Sequence, residues 1–314
     1  MARRSMTAPI GFVVLGHLAI AAATHVLVRN VLKTEGVPPE VVVAARCAVA
    51  VLVLLPLFRA GGVAAPYGRR DVLRLLAVAA LAVPVNQLCY IGGLQRTDAV
   101  HGALLFCLSP LCVGVLSACL EGVRTPRGAW LGAATAALGV GVVLWQSVEI
   151  SEEKLHGDLV LLGAVAAWSL VTVLSRPLLA KTPSFQLSRR ILLVGAALLA
   201  PWVAGPVAEY DWAGASARSW AVFVFLGVCT SVVSYVLWHV MLRRLGALRC
   251  AVFINLQPPV VGLLAWPVND ERPTWGLVVG GVLVILGVLQ TQRAVGRAGA
   301  DEILAADDDP PIAG

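Results

Sequence analysis

Thr24 follows His17 by seven residues, which is two turns of an α-helix, so the two side chains share a face with Ala21 between them. His25 lies one step round. The same spacing recurs elsewhere. Asn86, Tyr90 and Gly93 share a face, with Gln87 beside it. Trp168, Thr172 and Ser175 form another, and Thr230, Ser234 and Trp238 a third, with His239 adjacent. Ser109, Asn255 and Gln257 add hydroxyl and amide groups near prolines. These types donate and accept hydrogen bonds and carry little charge. Their chemistry is recognition of a small polar molecule rather than bond-breaking. The structural alternative stands beside this one: Ser and Thr back-bond to their own helix, and Asn and Gln act as interhelical glue.

Other chemistries lack their residues. The histidines, His17, His25, His101, His156 and His239, show no H-x-x-H or H-x-x-x-H spacing. The seven cysteines form no C-x-x-C and no Cys/His cluster. The expectation is no catalytic residues, no metal and no cofactor. There is no G-x-x-x-x-G-K-[ST] loop for ATP. Glu40, Asp98, Glu121 and Asp270 fall at segment ends rather than centres. A carboxylate proton relay is therefore poorly supported. Proton coupling would fall to His17, His25, His101 or His239, or to Asp98, and facilitated or exchange transport is the simpler reading.

The elements that carry these residues are apolar. Of 314 residues, 59% are hydrophobic and 13% charged, against about 25% charged in a soluble domain. So few charges cannot cover a globular surface, so the chain reads as an all-α integral membrane protein. A bilayer core about 30 Å thick needs about 20 apolar helical residues. That length predicts ten spans: 10–28, 40–58, 72–94, 99–120, 128–146, 157–178, 187–206, 219–242, 247–268 and 275–292. A rival reading makes "MARRSM" and the first apolar run a signal peptide cleaved after "AAAT". His17 in the run argues against it. Residues 293–314, acidic and proline-containing, predict a disordered tail. Trp130, Trp145, Trp202, Trp220 and Trp275, near span ends, predict interfacial anchors.

With the N-terminus in the cytosol, 17 Lys and Arg fall inside and 7 outside. The bias predicts a multi-pass protein of the plasma membrane with both termini cytosolic. Net charge is +6, but aromatics do not interleave with the basic clusters, which excludes nucleic acid as a partner.

The chain repeats itself at an offset of 148. Arg96 meets Arg244, Ala99 meets Ala247, Pro110 meets Pro258 and Gly114 meets Gly262. Gly128, Gly132 and Gly139 meet Gly276, Gly280 and Gly287. With a small gap, Arg46 meets Arg190. Two repeats follow, 10–146 and 157–292. Five crossings each force them into opposite orientations, a plan that places a substrate site near the midplane between the copies. Pro110, Pro258 and Pro259 predict helix kinks. Arg46, near the start of its span, predicts either a snorkelling side chain or an interior one. The G-x-x-x-G pairs Gly128/Gly132 and Gly276/Gly280 make helices five and ten either packing helices within the chain or the face of a homodimer.

Several stretches then carry a resemblance. "AARCAVAVLVLLP" at 44–56, "YIGGLQRTDAVHGALLFCLSP" at 90–110 and "CLEGVRTPRGAWLGAATAALGVGVVL" at 119–144 are echoed by "HGDLVLLGAVAAW", "HVMLRRLGALRCAVFINLQPP" and "NDERPTWGLVVGGVLVILGVL". This duplicated unit, with Arg46 entering its second helix, resembles the EamA-type families of the drug/metabolite transporter superfamily. The resemblance spans about residues 10–292. It implies ten transmembrane helices and non-ATP transport of small organic solutes, often efflux. The first helix, "AAATHVLVRN", departs from it, without the Pro or Trp many relatives carry there. A channel, a lipid translocase or an intramembrane enzyme are the alternatives. The expected substrate contacts are His17, Thr24, Asn86, Tyr90, Ser109, Trp168, Thr172, Ser234, Trp238, Asn255 and Gln257.

Overall fold

A computed structural model describes residues 9–57, 65–121, 126–254, 256–272 and 274–307. Among these there is no strand, and the helices make ten spans. They are α1 (Ile10–Thr34), α2 (Pro39–Leu54), α3 (Arg69–Arg96), α4 (Ala99–Phe106 and Ser109–Glu121) and α5 (Arg127–Ile150). The second repeat gives α6 (Glu152–Lys181), α7 (Ser184–Glu209), α8 (Ala217–Leu245), α9 (Ala247–Ile254 and Gln257–Asn269) and α10 (Trp275–Asp307). Spans α1, α3, α4, α6, α7 and α8 are each long and apolar enough to cross a bilayer alone. Large side chains such as Phe12, Leu131, Trp202 and Trp275 stand exposed on the outside of the bundle. Outward-facing apolar residues suit a hydrocarbon surround.

Helix starts follow local chemistry. Pro39 opens α2, where a missing N–H costs nothing. The Ser151 hydroxyl accepts the Lys154 N–H at 3.1 Å to cap α6, and the Ser216 hydroxyl accepts the Ser219 N–H at 3.0 Å to cap α8. Inside α3, Pro84 sits in a π-helical stretch, Leu81–Val85. A π-turn absorbs the donor the proline removes. Shifted by 148, that stretch falls on 229–233, inside the π-helical Leu226–Ser234 of α8. The duplication is thus visible in backbone irregularity as well as in residue identity.

The prolines of α4 and α9 do something other than the expected kink. Each span is broken into two half-helices, and Pro110 and Pro258 are the second residues of the new halves. Pro259 follows inside the same first turn. A proline there loses no helix bond, since first-turn N–H groups have no intrahelical partner. The break before the proline, at 107–108 in α4 and at Leu256 in α9, does the bending. The tail differs too. α10 runs on to Asp307, past the boundary at 293 where disorder was expected. "RAVGRAGADEILAA" is rich in helix formers, and the first later proline is Pro310. Residues 308–314 lie outside the described residues.

α5 and α10 pack on each other along their length. A Cβ on Gly132 would fall 2.4 Å from the Gly287 carbonyl oxygen, and one on Gly139 would fall 2.6 Å from that of Gly280. Both pairs let backbone touch backbone, as small residues do in membranes. These four glycines are used within one chain. The remaining spans surround the centre of the bundle.

Candidate ligand cavity

Two close helix approaches set the centre. α3 and α6 meet at Gly93 and Gly157, where a Cβ on either would lie within 3.0 Å of the other's carbonyl oxygen. Seven residues on along each helix, the Asn86 amide donates to the Ala164 carbonyl at 2.8 Å. α2 and α8 meet at Gly227, where a Cβ would fall 2.4 Å from Val49 and 3.0 Å from the Arg46 carbonyl oxygen. That approach brings Arg46 to Ser231, one turn beyond Gly227, and its Nε donates to the Ser231 hydroxyl at 3.0 Å.

Between these contacts lies a cavity of about 100 Å³. It draws residues from α1, α2, α3, α4, α6, α8 and α9, hence from both repeats. α5 and α10 contribute none. Of the residues expected to contact substrate, His17, Thr24, Asn86, Tyr90, Trp168, Ser234 and Gln257 line it. His17 Nδ1 and the Ser234 hydroxyl are 2.8 Å apart, and the Thr24 and Thr230 hydroxyls 2.7 Å. Both pairs join α1 to α8.

The others are elsewhere. Ser109 is fully buried against Ser169, the hydroxyls 3.3 Å apart. Thr172 is buried and donates to the carbonyl of Trp168 at 2.9 Å, as a hydroxyl at that spacing tends to. Trp238 stands behind the wall, its ring 5.3 Å from His17 and 5.4 Å from Trp168. These three support the lining rather than form it. Asn255 lies outside the described residues.

Several wall residues, among them Arg46, Gln87, Tyr235, Phe106 and His25, were not on the expected list. Arg46 is 2% exposed, so it turns inward and does not snorkel. It donates through Nη1 to the Gln87 side-chain oxygen, Oε1. The Gln87 amide donates in turn to Asn86 Oδ1 at 3.0 Å and to the Tyr235 hydroxyl at 3.2 Å. The Tyr235 hydroxyl donates at 3.1 Å to the Ala82 carbonyl, in the π-helical stretch of α3. Phe106 and His25 complete a ring cluster with Tyr90, the His25 and Tyr90 centroids 5.2 Å apart. A buried carbonyl acceptor matching Gln87 could have been sought from sequence, but the rotation of α2 that brings Arg46 to it depends on Gly227, a contact between repeats.

A layer of charge lies at each end of the bundle. Where α1 finishes, Arg29 lies 3.8 Å from Asp98 and 3.9 Å from Glu271, and Lys154 reaches Asp98 at 2.5 Å. Glu271 also accepts the Ala99 and Val100 N–H groups at 3.0 and 3.2 Å, capping α4 from the other repeat. Burial raises the Glu271 pKa above its ordinary value, only partly offset by those N–H groups and Arg29. For Asp98 burial is the largest influence and would raise it, but Lys154, His101 and Arg29 together hold it below the usual range. At the opposite end Lys181 reaches Asp71 at 2.8 Å. The Gly68 N–H also donates to the Asp71 carboxylate at 3.1 Å. Tyr67 and Thr182 hydroxyls lie 2.5 Å apart there. Among the described residues no three His, Cys, Asp or Glu side chains converge as metal ligands would.

Comparison with known proteins agrees with this architecture. The sequence profile of the EamA-like transporter family matches twice, over residues 9–145 and 155–291. The "Uncharacterized transporter YyaM" of Bacillus subtilis is 27% identical over 67% of this chain and 69% of its own length. The "Probable terminal-alkyne amino-acid exporter" of Streptantibioticus cattleyicolor is 26% identical over 73% of this chain and 76% of its own. The "Pseudopaline exporter CntI" of Pseudomonas aeruginosa is 25% identical over 88% and 95%. A crystal structure aligns with a TM-score of 0.60 and 21% identity, covering 90% of this chain and 98% of its own, which supports the fold alone.

Proposed function

The chain belongs to the EamA-like transporter family, and from that premise we propose that it is a secondary carrier exporting a small polar metabolite by alternating access between its inverted halves. The transporter class follows from the family. The substrate class, direction and mechanism go beyond it. One observation carries it: a central cavity walled by hydrogen-bonding groups from both repeats, with a charge layer joining the repeats at each end. A solute held there touches both halves, so their relative movement changes which end it can leave by. A volume of about 100 Å³, against roughly 300–1,000 Å³ for pockets holding drug-sized ligands, favours a small solute. Two relatives bear exporter names, one of them for an amino acid, which favours export of an amino-acid-like solute.

The Lys and Arg bias supports a cell-membrane protein with both termini cytosolic. The end bearing Asp71 and Lys181 then faces the cytosol. The test compares extracellular and intracellular metabolites of cells with and without the expressed gene, followed by counterflow of the enriched solute in proteoliposomes. Saturable, counterflow-stimulated flux is expected. Flux that is neither saturable nor stimulated from the far side would indicate a channel and overturn the carrier.

A further inference from the structure

We infer that Arg46 is an anion-binding residue, and that the solute carried in this cavity bears a carboxylate or similar acidic group. The inference rests on the carrier reading above and names the substrate class of the same site.

Arg46 is a permanent cation, 2% exposed, in the wall of a cavity within the membrane. Burying such a charge is costly unless an anion or a full set of acceptors compensates it. The protein supplies neither. Arg46 forms no salt bridge among the described residues, and no Asp or Glu lines the cavity. Its acceptors are the Ser231 hydroxyl and the Gln87 side-chain oxygen, both neutral. A guanidinium has five N–H donors in a planar fork. Nε and Nη1 are engaged, while Nη2 donates to no protein acceptor among the described residues. Ser231 and Gln87 hold the fork in place without neutralising it. Gln87 is held in turn by Asn86 and Tyr235. A carboxylate matches the vacant edge in geometry and charge.

The repeat supplies a contrast. The counterpart of Arg46 is Arg190, whose guanidinium lies 4.5 Å from the Tyr67 ring centroid, at the end of the bundle. Only the first repeat turns its arginine inward. No described residue of the cavity wall offers a carboxylate to an amine. The polar end recognised by charge is therefore the acidic one, and Trp168, Tyr90 and Phe106 face the remainder of the solute.

The experiment uses the purified full chain in lipid nanodiscs. Its thermal midpoint is measured with matched probes: butyrate and butyramide, L-valine, L-valinamide and isobutylamine. At least one acid is expected to raise the midpoint, with its amide and amine requiring about tenfold higher concentration or having no effect. Arg46→Gln should abolish the distinction between acid and amide. Arg46→Lys should keep it in weakened form, because the charge remains and the fork does not. Amide or amine stabilising as well as the acid, or no acid stabilising, overturns the inference. These arms use the unaltered chain and stand even if Arg46→Gln does not fold. Failure of the carrier reading looks different: an acid that binds but shows no counterflow leaves the anion site and removes the transport. A neutral or cationic solute that flows without competition from any acid does the reverse.

Discussion

Asn86 shows how one amide serves both scaffold and wall. Its Nδ2 group bonds the Ala164 carbonyl across the α3–α6 contact, and its Oδ1 accepts from Gln87, which holds Arg46. Asn86→Ala removes both, leaving a buried acceptor and a loosened glutamine at about 1–3 kcal/mol. The expected result is a lower thermal midpoint and a flux reduced several-fold in protein that still reaches the membrane. Normal counterflow kinetics would remove Asn86 from the wall. The sequence made Asn86 legible because an amide cannot satisfy all its groups within its own helix. It made Arg46 only half legible. An arginine seven residues into a span can snorkel or turn inward, and the choice lies in Gly227 of the other repeat. Thr172 and Trp238 share spacing with wall residues yet sit behind them, since periodicity gives a shared face but not which neighbour covers it. In a helix apolar on all sides, the hydrophobic pattern does not mark the inward face.

At the scale of elements, the ten spans, the duplication and the importance of Pro110 and Pro258 were all readable, because length, offset and proline chemistry are local. That the spans break before these prolines, rather than bend at them, was not readable. The break depends on what the freed carbonyls meet in neighbouring helices. The α5–α10 pair gives a test of packing. Gly139→Val would drive a side chain into the Gly280 carbonyl, and overpacking of this kind costs about 1–3 kcal/mol. Gly141→Ala, on the same helix with nothing within 4 Å, should be neutral. Equal thermal midpoints for both variants would contradict the contact. The charge layer at the α1 end gives a second test, with a definite sign. Glu271 has a raised pKa in the packed arrangement seen here, so this arrangement holds its proton more tightly than a hydrated, open end would. That contribution is full below the ordinary Glu pKa of about 4.3 and fades as pH rises through the raised value. Asp98 has the opposite sign, and its contribution is lost only when pH falls through its lowered pKa. Opening, read as hydrogen exchange at the Ala99 and Val100 amides corrected for intrinsic rate, should therefore become rarer as pH falls from neutrality towards about 5. Glu271→Gln should remove that dependence. Exchange that speeds up over the same range would reverse the assignment.

For the whole molecule, the two charge layers must not open together if the chain is a carrier. Both tie one repeat to the other: Asp98 to Lys154 at one end, Asp71 to Lys181 at the opposite end. A transport cycle parts each once while the other holds. Fixing either end should then stop net exchange, although the cavity stays intact. The expected outcome can be measured with Asp98→Cys/Lys154→Cys and Asp71→Cys/Lys181→Cys, each joined by a short bifunctional thiol reagent with a cleavable spacer. Single-cysteine variants control for the seven native cysteines. Counterflow should fall to background in either cross-linked pair and return on cleavage. In whole cells, the Lys and Arg bias makes Asp98→Cys the variant that gains reactivity towards a membrane-impermeant thiol reagent, with Asp71→Cys protected until the cells are opened. The reverse pattern would invert the topology but leave alternating access standing. Continued flux with one end fixed would do the opposite, retaining the orientation and replacing rocking by a pathway that needs only one gate.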